Sequence, residues 1–588
     1  MILVNFFIAF FSIFVSPQII LYYKFNDIKY SLLLVYGLII SFSVSWVLFL
    51  SIFYFDIGST FLYLISITVM IYSLFYMYKH KSTNSHKEYI IWILVLILMM
   101  PLLFHIGDGF RSYDAVVSWN RWALELYNNE YYPMNAAYPI LLPSIWSLIY
   151  KIQGTSEIWW TAQITLFVIP FFTLATLLTL YKENNDKVFL FMIVFIYPYL
   201  VWINTINGYM DMPVMLMGTL SLILLYAAEI NKEKKDFEYY IIAALLLAGI
   251  ASIIKQAGLV FLIFNYVYIL LHLNEFSNKK RILLYSFIAL LYFISYLVLY
   301  YQYQSDATEN LKILKSISSQ KAFDGKNIYE TINYLGRGFF RYPPTIPYLD
   351  VIIKPLSPPH LLIITPILIV VGLLLFAVKK LRNYRSISFL SAIFFLVGIG
   401  IWIKFFSYDS RNSYWVKSFL IIFLSINMSY FFTKYIQRIT LKHTLFIIFI
   451  IIIGYLYILG DSFAYKKQNH AQGKVGSNAR GVMMTELLKD KDKCLIIYTN
   501  AQPDKFNYYA KEIFDRIVTF GRVHEVSAYY DHTCSDGRYF MFIRRGMSDQ
   551  KEEWKKVLLQ EKNGTLKLIK KTKRTILYFA EPKKLETL

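Results

Sequence analysis

Residues 31–54 read SLLLVYGLIISFSVSWVLFLSIFY, a run without a single charged side chain. A helix rising about 1.5 Å per residue needs about 20 such positions to cross a hydrocarbon core of about 30 Å. The same kind of block recurs along the chain, near 1–22, 59–78, 88–105, 158–181, 188–206, 211–230, 239–254, 257–273, 282–301, 361–378, 386–405, 417–433 and 443–460. The pattern predicts an all-α polytopic membrane protein with about fourteen transmembrane helices. Composition points the same way: the 588 residues are 57% hydrophobic, 19% aromatic and only 16% charged, with mean hydropathy +0.46. Soluble domains carry roughly 25% charged residues, so an ordinary soluble composition is excluded.

The apolar stretch 239–273 is too long for one helix and is interrupted by Lys255, which predicts two short helices meeting there. Basic residues set the orientation, because short cytoplasmic loops retain Lys and Arg. Lys24 and Lys29, Lys79, Lys81 and Lys87, Lys182 and Lys187, Lys232, Lys234 and Lys235, the Lys279-Lys280-Arg281 run, the group from Lys379 to Arg385, and Lys434, Arg438 and Lys442 all fall on one side of the alternation. That side is read as cytoplasmic. The other side receives the amino terminus, loops 106–157 and 302–360, the turns near 207–210 and 406–416, and the tail. The first block lacks a basic leader and a small-residue cleavage site, so it is read as a span rather than a signal peptide. The net charge of +21 reads as topology signals and contacts with anionic headgroups, not as nucleic-acid binding.

Two domains follow: a transmembrane domain over 1–460 and a small soluble α/β domain over 461–588, placed outside the cytoplasm. In the tail, β-type runs such as CLIIYT, RIVTF and RYFMFIRR alternate with helical stretches such as 549–561. Lys and Arg outnumber Asp and Glu there by 25 to 16, which suits an anionic glycan or headgroup neighbour and equally a solvated surface. The only cysteines, Cys494 and Cys534, both lie in this tail. An oxidising compartment lets them form a disulfide, and two separate thiols fit the sequence as well.

Chemistry concentrates in the first outer loop, residues 105–154, which mixes acidic, basic and aromatic side chains. Asp114 precedes a helical pattern in Val117, Leu124 and Tyr127, so it can cap that helix. The same carboxylate is placed to take a proton from a sugar hydroxyl. Tyr138, Pro139 and Pro143 predict a second helix re-entering the interface. Asp211 opens a span, where it is either a cap or a functional acid, and Lys255 either snorkels to the surface or serves a site. The turn FFSYDSRNSYW at 405–415 supplies Asp409 and Arg411. A guanidinium there can bind an anion through two parallel hydrogen bonds. Arg337 and Arg341, in LGRGFFRYPP, are more distant cations or interfacial anchors.

Asp114, Trp119, Trp122 and Ala123, followed by AAYPILLPSIWSLIYKIQG at 136–154, resemble the first outer loop of the GT-C superfamily of glycosyltransferases, which includes protein mannosyltransferases and bacterial aminoarabinose transferases. Tyr138-Pro139-Ile140-Leu141 stands where that family has KPPL. NGYMDMPVML is similar to its Y-x-D element at Asp211, and ASIIKQAGLVF to its K-x-E-G turn, with Gln256-Ala257 replacing the acid. The resemblance implies an inverting transferase of the bacterial cytoplasmic membrane that moves a sugar from a polyprenyl-phosphate donor to a hydroxyl of a cell-envelope glycan or glycolipid. Asp114 would be the general base, Asp211 and Asp108 further acids, Arg411 and Lys255 the phosphate cations, and Trp119, Trp122 and Tyr138 sugar-stacking rings. No cofactor is required. Asp108 and Asp114 leave a divalent metal open, although no zinc spacing, Gly-rich phosphate loop, D-x-D element or nucleophile elbow occurs. The alternatives are a polysaccharide polymerase or ligase using a diphosphate-linked lipid donor, and a lipid or solute transporter.

Overall fold

The computed structural model describes residues 2–25, 28–55, 57–80, 86–106, 115–131, 133, 136, 138–156, 160–233, 235–302, 386–402, 410–435, 495–498, 518–521, 538–543, 559, 561–564, 566–571 and 575–580. Their helices are α1 (Ile2–Phe10), α2 (Ser16–Lys24), α3 (Tyr30–Phe55), α4 (Ser59–Lys79), α5 (His86–Leu103), α6 (Arg121–Tyr127), α7 (Leu141–Gln153), α8 (Trp160–Asn184), α9 (Lys187–Leu200), α10 (Asp211–Ile230), α11 (Phe237–Ile254), α12 (Leu259–Leu271), α13 (Lys279–Gln302), α14 (Ser386–Ile401) and α15 (Tyr414–Tyr435). A π-helical turn, Phe11–Val15, joins α1 and α2 into one 23-residue span. Among the described residues eight helices are long and apolar enough to cross a membrane, and four more, of 10–17 residues, are apolar but shorter. The chain is a multi-pass membrane protein. The expected spans 361–378 and 443–460 lie outside the described residues.

Burial orders the bundle. In α10 and α11 the most apolar windows are 89% and 94% enclosed by protein, against 17% and 22% in α4 and α13, which turn their apolar faces outward. Exposed Leu283, Leu284 and Phe287 on α13 belong on a lipid-facing surface. α11 and α13 approach closely because Gly249 presents no side chain: a Cβ there would lie 2.8 Å from the Ala289 carbonyl oxygen. At one end of the bundle, Lys29 donates to Asn231 at 3.0 Å and pairs with Asp236 at 3.7 Å, while the backbone N–H of Ser31 donates to Glu183 at 3.0 Å. These contacts tie the start of α3 to the ends of α8 and α10 and the start of α11. The start of α10 and the end of α11 therefore share the opposite end.

Several helix limits differ from the sequence reading by three residues or more, and two of these lie near the end of the bundle where α10 starts. α9 stops at Leu200 rather than near 206, because the chain turns through Ile203–Thr205 and the Thr205 hydroxyl donates to the Tyr199 carbonyl at 2.7 Å. α15 starts at Tyr414, one turn before the expected 417, so Lys417 lies inside the helix.

The break at Lys255 is backbone geometry. Lys255 is extended (φ −158°, ψ 149°), and the Gly258 N–H donates to its carbonyl at 2.8 Å, closing a short 3-10 turn before α12. Gly258 packs on the last turns of α11: a Cβ would fall 2.1 Å from the Ala251 carbonyl oxygen and 2.5 Å from the Ser252 nitrogen. Backbone atoms cannot swing aside as a flexible side chain would. Gly258→Ala is thus expected to cost about 1–3 kcal/mol through forced backbone shifts, read as a lowered melting temperature in detergent; an unchanged value would mean α12 slides without penalty.

The tail falls in a separate compact unit. β1 (Leu495–Tyr498) pairs in parallel with β2 (Val518–Gly521). β3 (Arg538–Ile543), β4 (Lys567–Lys571) and β5 (Thr575–Ala580) form an antiparallel sheet in the order β3-β5-β4. The β-type runs read from the sequence overlap β1, β2 and β3, where β-branched and aromatic residues favour extended backbone. Most of the expected helix at 549–561 and both cysteines lie outside the described residues.

Candidate functional site

At the end of the bundle where α10 starts and α11 stops, side chains from distant parts of the sequence meet. Asp211 is the first residue of α10, a position where a carboxylate also interacts favourably with the helix dipole. Lys255, released from helical geometry at the break, reaches across 44 positions of sequence and donates from Nζ to Asp211 Oδ1 at 2.6 Å. Their side chains are 14% and 11% exposed, so this is a mostly enclosed ion pair rather than a surface contact.

Lys255 also lies over an aromatic face, its Nζ 5.4 Å from the Tyr138 ring centroid. Tyr138 sits just before α7, where Pro139 keeps the preceding backbone out of the helix. The Tyr138 ring is 5.6 Å from Trp119, which is 4.8 Å from Trp122 in an edge-on arrangement. Trp119 belongs to the π-helical turn Ala115–Asn120, and Trp122 to α6. Both indoles are buried, so Tyr138, half-exposed, is the ring of the three that a ligand can reach.

The second cation arrives from the late turn. Arg411 lies in the 3-10 turn Ser410–Ser413 before α15, with its guanidinium carbon 4.1 Å from the centroid of Tyr209, two residues before Asp211. Arg411 is close enough to Lys255 for the two like charges to repel. Trp202 and Tyr414, 6.0 Å apart, pack beside this turn. Among the described residues, Arg411 and the Lys255–Asp211 pair thus lie near one another beside tyrosine rings. Basic groups so placed can take part in binding an anion.

Six residues singled out from the sequence, Trp119, Trp122, Tyr138, Asp211, Lys255 and Arg411, are joined here by direct contacts or through charge. Asp108, Asp114, Asp409, Arg337 and Arg341 lie outside the described residues. At the ASIIKQAGLVF turn Asp211 pairs with Lys255, while Gln256 hydrogen-bonds Tyr296 on α13. Nothing in the sequence identifies Tyr209 as the ring beneath Arg411. Among the described residues no group of three or more His, Cys, Asp or Glu side chains is placed to hold a metal. No protein-family model, curated protein or solved structure matches this chain.

Proposed function

We propose that the protein is a membrane glycosyltransferase of the GT-C type, acting at the outer face of a bacterial cytoplasmic membrane on a sugar carried by a polyprenyl phosphate. The observation that carries this reading is the Asp211–Lys255 ion pair beside Arg411, a cation-rich and aromatic-walled group where helices end. Such a group suits a phosphate at the membrane interface, and stacking rings suit the apolar faces of a sugar.

In the proposed reaction the carboxylate of Asp114 removes the proton of an acceptor hydroxyl on a cell-envelope glycan or glycolipid. That oxygen attacks the anomeric carbon from the face opposite the leaving group, and the sugar–phosphate bond breaks with inversion. Arg411 and Lys255 stabilise the charge that gathers on the departing lipid phosphate. Asp211 holds the Lys255 ammonium in place. A lipid-linked donor follows from the proposed location, since nucleotide sugars stay in the cytosol. The basic loops would then face the cytoplasm, and the amino terminus and tail the outside.

The deciding experiment uses the purified protein in sealed vesicles with a radiolabelled polyprenyl-phosphate sugar and a hydroxyl acceptor. Transfer of label to the acceptor with release of polyprenyl phosphate is the expected result. Movement of label across the bilayer without bond cleavage would instead make the protein a transporter.

A further inference from the structure

A cavity of about 490 Å³ lies between the first span and helices α3, α4, α5 and α8, and the reaction scheme makes no use of it. Its walls are helix faces. Phe10, Phe14, Gln18 and Tyr22 recur every fourth residue along the first span, and Tyr89, Trp92 and Leu96 share one face of α5 at spacings of three and four. Phe167 and Phe171, 5.6 Å apart on α8, close the back, where Phe171 stacks on Trp92 at 5.4 Å. The π-helical turn Phe11–Val15 supplies Phe14 and Val15, and such turns are frequent at functional sites.

The polar groups of this lining are turned to protein partners: the Gln18 amide donates to the Leu34 carbonyl at 3.0 Å, and the Trp92 indole N–H to the Tyr30 hydroxyl at 2.9 Å. A cavity walled by apolar side chains stays dry and takes apolar guests. Its rim includes Met77, Tyr89 and Leu96, all exposed, on α4 and α5, and α4 turns most of its apolar surface outward. Within a bilayer the medium at that rim is hydrocarbon. The wall from Tyr23 to Phe10 runs about 20 Å at about 1.5 Å per residue, enough to follow a chain through one leaflet of a core about 30 Å thick.

The two ends of the cavity differ in chemistry. Tyr22, Tyr23, Tyr30 and Tyr89 gather where α2 stops and α3 and α5 start, as tyrosines do at a membrane–water interface. Lys24 directly follows Tyr23, and Lys79 stands two residues, about 3 Å of helix, beyond Met77. Both lysines are exposed. Basic side chains just outside a tyrosine collar attract anionic headgroups.

We propose that this cavity binds one anionic phospholipid, with an acyl chain among Phe14, Trp92 and Phe171 and the headgroup beside Lys24 and Lys79. Chain and headgroup then contribute separately: the aromatic walls take any chain of suitable length, and the two lysines select the charge.

The test titrates the purified full-length protein in detergent with phosphatidylglycerol and with phosphatidylcholine of the same chains, both brominated at mid-chain, and reads quenching of tryptophan fluorescence. Saturable quenching is expected with both lipids, tighter for phosphatidylglycerol, and its saturable part should vanish in Trp92→Phe. Lys24→Gln with Lys79→Gln is expected to weaken phosphatidylglycerol on the order of tenfold and to leave phosphatidylcholine unchanged. Val15→Phe with Ile19→Phe fills the cavity and should remove saturable quenching by both lipids; should that variant fail to fold, Trp92→Phe alone locates the chain. Quenching that rises without saturation, or that persists in Trp92→Phe, places the lipid elsewhere and overturns the proposal. Equal affinity for the two lipids in the wild type, or an unchanged preference in the double glutamine variant, overturns the headgroup assignment and with it the anionic lipid.

Discussion

Asp211→Asn is expected to unfold well below the wild type and to lose activity together with stability. The carboxylate accepts from Lys255 at 2.6 Å, and both side chains are largely enclosed. Replacing it by an amide leaves the lysine charge without its counter-ion in a site poor in water. Breaking one side of such a pair costs about 3 kcal/mol, because the remaining ion has lost its hydration without gaining attraction. The double variant Asp211→Asn with Lys255→Met removes both charges and is expected to recover most of that loss, giving a large coupling energy in a double-mutant cycle. Thermal unfolding in detergent reads the stability arm, and sugar transfer reads the other. Recovery should be confined to stability, since the double variant also lacks the ammonium that the reaction uses. If the asparagine variant melts with the wild type, the pair contributes nothing to the fold, and the convergence of α10 and α11 needs another cause.

Among the described residues, the long apolar helices were legible because membrane burial imposes a length and a composition that a single run of residues satisfies by itself. Residues 31–54 announce α3 without reference to any other part of the chain. Lys255 announced a helix break for a related reason: a charge in the middle of an apolar stretch of that length must end one helix, find a partner, or both. It does both. The limits of α9 and α15 were less legible, because they depend on where a backbone carbonyl finds a donor. The Thr205 hydroxyl that stops α9 bonds back to Tyr199, which apolarity alone does not signal.

The candidate site was legible residue by residue but not in its pairings. Asp211, Lys255 and Arg411 stood out as ionisable groups at span ends, yet which carboxylate would meet which cation depends on how α10, α11 and α15 pack. A pairing across 44 residues leaves no local trace. Tyr209 is the clearest omission. It is one of 50 tyrosines, and only the turn between α9 and α10 brings its ring under Arg411.

Asp114→Asn is expected to lower the rate of sugar transfer by about 10²- to 10⁴-fold, the usual contribution of a positioned general base, with the melting temperature unchanged. Two roles compete for this side chain, since Asp114 directly precedes the helical turn Ala115–Asn120 and can cap it. Asparagine separates them. Its side-chain oxygen caps a helix about as well as aspartate does, but it cannot hold a proton taken from a hydroxyl. Alanine removes both abilities and should cost about 1 kcal/mol of stability in addition to the rate. A base thus predicts that both variants are inactive and only the alanine variant is less stable, whereas a cap predicts that the asparagine variant works normally and the alanine variant is merely less stable. Measuring the two variants for transfer and for thermal unfolding distinguishes the roles. Full activity of Asp114→Asn would move the search for the base to Asp108 and Asp211.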